Sequence, residues 1–180
     1  MIVILYILGA IVGIIALLLL LALFTKKEYT IQREIVIEKP IDEVFNYIKQ
    51  IKNQDYFSKW VMTDPNMNRV FTGNDGEVGF IYAWDSQNKA AGKGEQEIKN
   101  IIQNELLDLE IRFEKPMKGL AKTPFRTTSI SANETKVNWG MESKMNYPMN
   151  AIMLFVNFEN ILGKDLEISL NNLKTILEAK

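Results

Sequence analysis

The segment 149-MNAIMLFVNFENILGKDLEISLNNLKTILEA-179 decides how the chain is read. Phe155, Phe158, Leu162, Leu166, Leu170, Leu173, Ile176 and Leu177 recur at the spacing of one helix face. As one helix from Met149 to Ala179, the segment would be roughly 45 Å long at 1.5 Å per residue. Gly163 interrupts the face, at a cost of about 1 kcal/mol relative to Ala, and is expected to mark a bend. A helix of this length with one broad apolar face needs a large apolar surface to lie on.

The upstream sequence offers that surface as a sheet. Tyr29 to Ile37 reads as a strand rich in β-branched residues. Pro40 suits the first position of a helix, where its missing N–H is no loss. Ile41, Val44, Phe45, Ile48 and Ile51 follow at helical spacing, and Gln54 to Trp60 is expected as a second short helix. Val70-Phe71-Thr72 then runs into Gly73-Asn74-Asp75-Gly76, a hairpin signal. Strands are expected at Val78–Trp84, Gly92–Ile102, Leu106–Phe113, Thr123–Ser131 and Thr135–Met145. Phe80, Tyr82 and Trp84 share a face, as do Val137, Trp139, Met141 and Met145. Leu107, Leu109, Ile111 and Phe113 alternate with Asp108, Glu110 and Arg112, one buried face and one wet face. The order is strand, two short helices, about six antiparallel strands and one long helix: an α+β domain over residues 29–180.

Before that domain the composition changes abruptly. Residues 1–24 carry no charge, so all 21 basic and 22 acidic residues lie behind them. Ile2 to Phe24 as a helix would be roughly 35 Å long, enough to cross a hydrocarbon core of about 30 Å. No basic residue precedes the run, and Leu23-Phe24-Thr25 is a poor cleavage site, so an uncleaved transmembrane helix is expected rather than a signal peptide. Residues 25–28 then form a juxtamembrane linker. Lys26 and Lys27 follow the span, which places the domain in the cytoplasm of a single-pass protein. Gly9 and Gly13 form a GxxxG, the spacing that permits close helix approach.

The chain of 180 residues has no cysteine and no histidine, and a formal net charge of −1. That excludes disulfides, thiolate nucleophiles, His-based triads and the usual zinc ligands. Any acid–base chemistry would need a carboxylate, Lys or Tyr with a displaced pKa. The charge balance also argues against a general nucleic-acid binder. No metal site, cofactor or catalytic residue is assigned.

Four stretches resemble the SRPBCC superfamily, the START-like helix-grip proteins. They are Lys39-Pro40-Ile41-Asp42-Glu43-Val44-Phe45 leading to Trp60, and Val78-Gly79-Phe80-Ile81-Tyr82-Ala83-Trp84 with Gly92-Lys93-Gly94-Glu95. The others are Thr135-Lys136-Val137-Asn138-Trp139-Gly140-Met141 and Leu162-Gly163-Lys164-Asp165-Leu166-Glu167 with Leu173-Lys174. The closest resemblance is to the bacterial polyketide cyclase/dehydrase and lipid-transport group. It implies a curved antiparallel sheet wrapped on the C-terminal helix, with a cavity between them. A leading span is not part of that family's core pattern, which argues against a freely diffusing carrier.

The candidate lining of that cavity is Trp60, Phe80, Tyr82, Trp84, Phe113, Phe125, Trp139, Met141, Met145, Phe155, Phe158 and Leu162. Aromatics and methionines suit an adaptable apolar pocket, although the same residues also suit a filled core. Tyr82, Glu95, Glu97, Arg112, Arg126 and Glu142 are the polar strand residues that could orient a head group or move a proton. Lys115, Lys118, Lys122 and Arg126 form a basic run suited to anionic lipid head groups. The expected function is non-catalytic binding of a hydrophobic small molecule or lipid by a membrane-anchored domain. A cyclase or hydrolase-like enzyme and a membrane-tethered protein-interaction module are the alternatives. The ligand, the oligomeric state and the physiological process are left open.

Overall fold

The computed structural model describes residues 2–179. Helix α1 runs Ile2–Phe24, and strand β1 runs Glu28–Ile37. Helices α2 (Ile41–Ile48) and α3 (Gln54–Phe57) follow, with 3-10 turns at Ile51–Asn53 and Val61–Thr63. Next come β2 (Asn68–Thr72), β3 (Ile81–Asp85), β4 (Lys93–Ile102), β5 (Leu106–Lys115), β6 (Gly119–Lys122), β7 (Phe125–Ser131) and β8 (Glu134–Lys144). A 3-10 turn at Met149–Leu154 precedes α4, Phe158–Glu178.

The eight strands form one curved antiparallel sheet in the order β1-β8-β6-β5-β4-β3-β2. β7 pairs with β5 and β8, so it continues the lane that β6 begins. Pro124 lies at the break between them; lacking an N–H, it cannot extend the ladder. Strand alternation divides the sheet into an inner and an outer face. On β4, Gly94, Gln96 and Ile98 point inward and are buried, while Glu95 and Glu97 point outward. α4 lies against the inner face, and its Leu166, Leu170, Leu173 and Leu177 are buried with Ile31, Ile37, Phe45, Phe57 and Val137 in the core.

Several expectations are corrected here. The terminal segment is not one helix from Met149. It makes a 3-10 turn, then breaks, and α4 starts only after Asn157, whose side chain accepts a hydrogen bond from the Asn160 N–H at 3.0 Å. That cap satisfies one of the free donors at the helix start. The strand expected from Val78 begins at Ile81, because Gly73, Gly76 and Gly79 all have positive φ and shape a longer loop. The strand expected from Thr123 starts at Phe125, and β6 was not anticipated. The expected helix at Gln54–Trp60 ends at Phe57.

Gly163 lies within an unbroken α4, where it leaves room for a neighbour. A Cβ there would stand 2.1 Å from Nη2 of Arg33. Arg33 reaches from β1 across the helix to Glu159 and Glu167, each at 2.6 Å.

α1 is long and apolar enough to cross a membrane, and Ala22 is its one buried residue. Asn150, itself fully buried, donates from Nδ2 to the Ala22 carbonyl at 2.7 Å and to the Thr25 carbonyl at 3.2 Å. The Met145 N–H donates to the Lys27 carbonyl at 2.7 Å. The end of α1 is thus tied to the segment after β8.

Candidate functional site: a cavity beneath the C-terminal helix

A cavity of about 270 Å³ lies between the inner face of the sheet, α3 and the first turns of α4. Each element contributes through its inward positions. Tyr29 comes from β1, Tyr82 and Trp84 from β3, Gln96 from β4, Ile111 and Phe113 from β5, and Trp139 and Met141 from β8. Gln54 and Ser58 come from α3 and its end, and Phe158 and Leu162 from α4. Thr123, Trp60, Val61, Met67, Ala90 and Ala91 complete the wall from the connecting segments. The wall is mostly apolar, and none of these residues is charged.

Aromatic contacts fix the wall. Tyr29 stacks on Phe158 with centroids 5.1 Å apart, which joins β1 to α4. Trp60 meets Trp139 edge-on at 5.7 Å, and Trp84 meets Phe113 edge-on at 6.3 Å. Gly94 allows the Trp84 ring to lie over β4: a Cβ there would come within 2.9 Å of the ring. The Trp84 indole N–H donates to the Ala91 carbonyl at 3.0 Å, which holds the β3–β4 loop against the cavity.

Of the expected lining, Trp60, Tyr82, Trp84, Phe113, Trp139, Met141, Phe158 and Leu162 face the cavity. Phe80 and Phe125 do not; both are fully buried in the core, where Phe125 stacks on Trp139 at 4.3 Å. Phe155 is 72% exposed, because the break before α4 turns it away. Met145 lies just past β8, in a separate groove. Tyr29, Gln54, Ser58, Val61, Met67, Ala90, Ala91, Gln96, Ile111 and Thr123 were missed. Period-two alternation alone points Tyr29, Gln96 and Ile111 inward. The loop residues carry no such signal.

The polar candidates separate clearly. Arg112 binds Glu95, Glu97 and Glu110 on the outer face, each at 2.7 Å. Hydrogen bonds from Lys99 and Arg112 hold the Glu97 carboxyl below its ordinary pKa. Glu142 lies in the separate groove. Tyr82 alone among these candidates reaches the cavity. Its hydroxyl donates to Asp55 Oδ1 at 2.7 Å and accepts from Arg69 Nε at 2.8 Å. Burial, and then the bond to Asp55, push its pKa well above that of a free phenol. A phenol held neutral in this way is a poor base.

Four buried polar atoms around the cavity have no hydrogen-bond partner in the protein: Gln54 Nε2, Gln96 Nε2, Thr123 Oγ1 and Trp139 Nε1. Among the described residues, Asn150 Oδ1 is the only other such side-chain atom.

The separate groove begins at Glu28, four residues past the end of α1. It is lined by Lys115, Lys118 and Lys122 of the β5–β6 hairpin, by Glu142 and Lys144 of β8, and by Met145, Tyr147 and Met149. Glu28 also lines it and pairs with Lys144 at 3.1 Å. Tyr29 and Phe113 border both the groove and the cavity. Arg126 is not part of the groove. It pairs with Asn138 whereas Lys122 pairs with Glu142, which separates them by about 13 Å along β8.

Solved structures share this arrangement of sheet and helix. Truncated norcoclaurine synthase from Thalictrum flavum superposes with a TM-score of 0.63 at 9% identity, covering 83% of this chain and 93% of that one. The protein CV1439 from Chromobacterium violaceum gives 0.58 at 14% identity, covering 83% and 96%. DynU16, from the dynemicin biosynthetic locus, gives 0.56 at 12% identity, covering 83% of this chain and 47% of that one. The domain shares the helix-grip fold of these structures. No protein-family model and no curated protein matches the sequence. At these identities the likeness concerns the fold, which hosts many activities.

Proposed function

We propose that this chain is a membrane-anchored, non-catalytic binding protein, allied to the polyketide cyclase/dehydrase and lipid-transport group, that takes a hydrophobic small molecule or lipid into the cavity beneath α4. One observation carries the reading: a cavity of about 270 Å³ whose wall is aromatic and aliphatic and holds no charged residue. Pockets of this kind suit apolar ligands with a few polar contacts. The carboxylates nearest to it in the sheet are engaged with Arg112 on the opposite face, which favours binding over turnover.

In this reading α1 crosses the bilayer, and Lys26 and Lys27 keep the domain on the cytoplasmic side. The groove that begins at Glu28 then lies at the lipid head groups. Lys115, Lys118 and Lys122 would meet anionic lipids there, at about 1 kcal/mol each near the surface. Tyr29 and Phe113, shared by groove and cavity, mark the route from the bilayer to the cavity.

The test is extraction of the purified chain with organic solvent, followed by mass spectrometry and titration with a fluorescent lipid. A co-purifying apolar compound or saturable binding is expected. Failure of both would refute the reading.

A further inference from the structure

Buried polar atoms are almost always hydrogen-bonded, so a group of them without partners requires an explanation. Here the unpartnered atoms are concentrated. Gln54, Gln96, Thr123 and Trp139 each carry one, each is more than nine-tenths buried, and all line the cavity beneath α4. They come from different walls: Gln54 from α3, Gln96 from β4, Trp139 from β8, and Thr123 from the break between β6 and β7. The unpartnered atoms are thus donors, two amide nitrogens and an indole nitrogen, or, for the threonine hydroxyl, able to donate.

Charge narrows the ligand further. No Asp, Glu, Lys or Arg lines the cavity. Asp55 and Arg69, which both bond the Tyr82 hydroxyl, are 3.4 Å apart and neutralise each other. A carboxylate or phosphate would enter with no counter-charge, at a heavy desolvation cost. A carbonyl oxygen accepts the same hydrogen bonds without that cost. The aromatic wall suits a flat ring, and the volume lies just below the usual range of about 300–1,000 Å³ for ligand pockets.

We infer that the cavity selects a small, uncharged apolar molecule bearing carbonyl-type oxygens, which Gln54, Gln96, Thr123 and Trp139 hold. This rests on the ligand-binding reading above and specifies the ligand's chemistry.

All three tryptophans of the chain line the cavity, so their fluorescence reports its occupancy. The full chain in detergent micelles is titrated with three probes of one shape: 2-acetylnaphthalene, 2-ethylnaphthalene and 2-naphthoate. The ketone is expected to bind about five- to tenfold more tightly than the hydrocarbon, the effect of one good hydrogen bond, and the carboxylate more weakly than either. Gln96→Leu combined with Thr123→Val, which leaves only Gln54 and Trp139 as donors, should narrow the ketone's advantage over the hydrocarbon while the hydrocarbon still binds. Equal wild-type affinities for ketone and hydrocarbon, or preference for the carboxylate, would overturn the inference without recourse to any variant. Absence of saturable binding by all three would overturn the ligand-binding reading itself.

Discussion

Replacing Gly163 by Ala tests how α4 is held over the sheet. In an ordinary helix interior the change stabilises by about 1 kcal/mol. Here the new Cβ would stand 2.1 Å from Nη2 of Arg33 and 2.6 Å from its Cζ. The guanidinium must move by more than an ångström, out of the geometry of its ion pairs with Glu159 and Glu167, both at 2.6 Å. Both glutamates are more than half exposed, so each pair contributes roughly 0.2–1 kcal/mol. Gain and loss then nearly cancel, and Gly163→Ala should change stability by less than about 0.5 kcal/mol in the wild type. With Arg33→Ala already present, nothing opposes the propensity, and the same change should stabilise by about 1 kcal/mol. The double-mutant cycle therefore predicts a coupling of about 1 kcal/mol. Urea unfolding followed by tryptophan fluorescence measures all four proteins. An equal effect of Gly163→Ala in both backgrounds would refute the reasoning.

Other predictions follow from the core, the cavity and the anchor. Leu170→Ala empties a fully buried position on α4 and should cost about 2–5 kcal/mol in the same urea assay. Burial and Asp55 raise the pKa of Tyr82, so the stability it contributes is complete below the free-phenol value near 10 and is lost as pH climbs above it. Absorbance at 295 nm, read at about pH 11, should therefore show Tyr82→Phe indistinguishable from wild type when native, yet one tyrosinate short when unfolded. Asn150→Leu removes the hydrogen bonds to the Ala22 and Thr25 carbonyls. It should speed proteolysis at residues 25–28 severalfold while leaving the domain's unfolding free energy within about 1 kcal/mol of wild type.

Strand alternation and the apolar period of α4 made the sheet, the covering helix and most of the cavity's aromatic wall readable from the sequence. Arg33 shows both the strength and the limit of such reading. Strand alternation gives it the parity of Ile31 and Ile37 on β1, but its partners lie more than a hundred residues away, on α4. Gly163 consequently looked like a bend when it is a clearance. Phe155 was misplaced because the helix pattern runs on through the break that the Asn157 cap imposes. Phe80 and Phe125 have the right parity for the cavity, yet both are fully buried in the core, packed against the rings of Phe71 and Trp139. Parity cannot tell a filled part of a face from an open one. Gln54, Thr123 and the alanines reach the cavity through loops and short turns, where no periodicity exists to betray them.

Methionine methyl groups offer the most direct test of ligand binding beneath α4. Met67 and Met141 line the cavity, whereas Met117, Met145 and Met149 line the separate groove. Methyl NMR spectra of the full chain, labelled with 13C at the methionine methyls, would be recorded while 2-acetylnaphthalene is added. Saturable shifts at Met67 and Met141, with the groove methyls still, are the predicted result. Shifts confined to Met117, Met145 and Met149, or no saturable shift at all, would contradict the account.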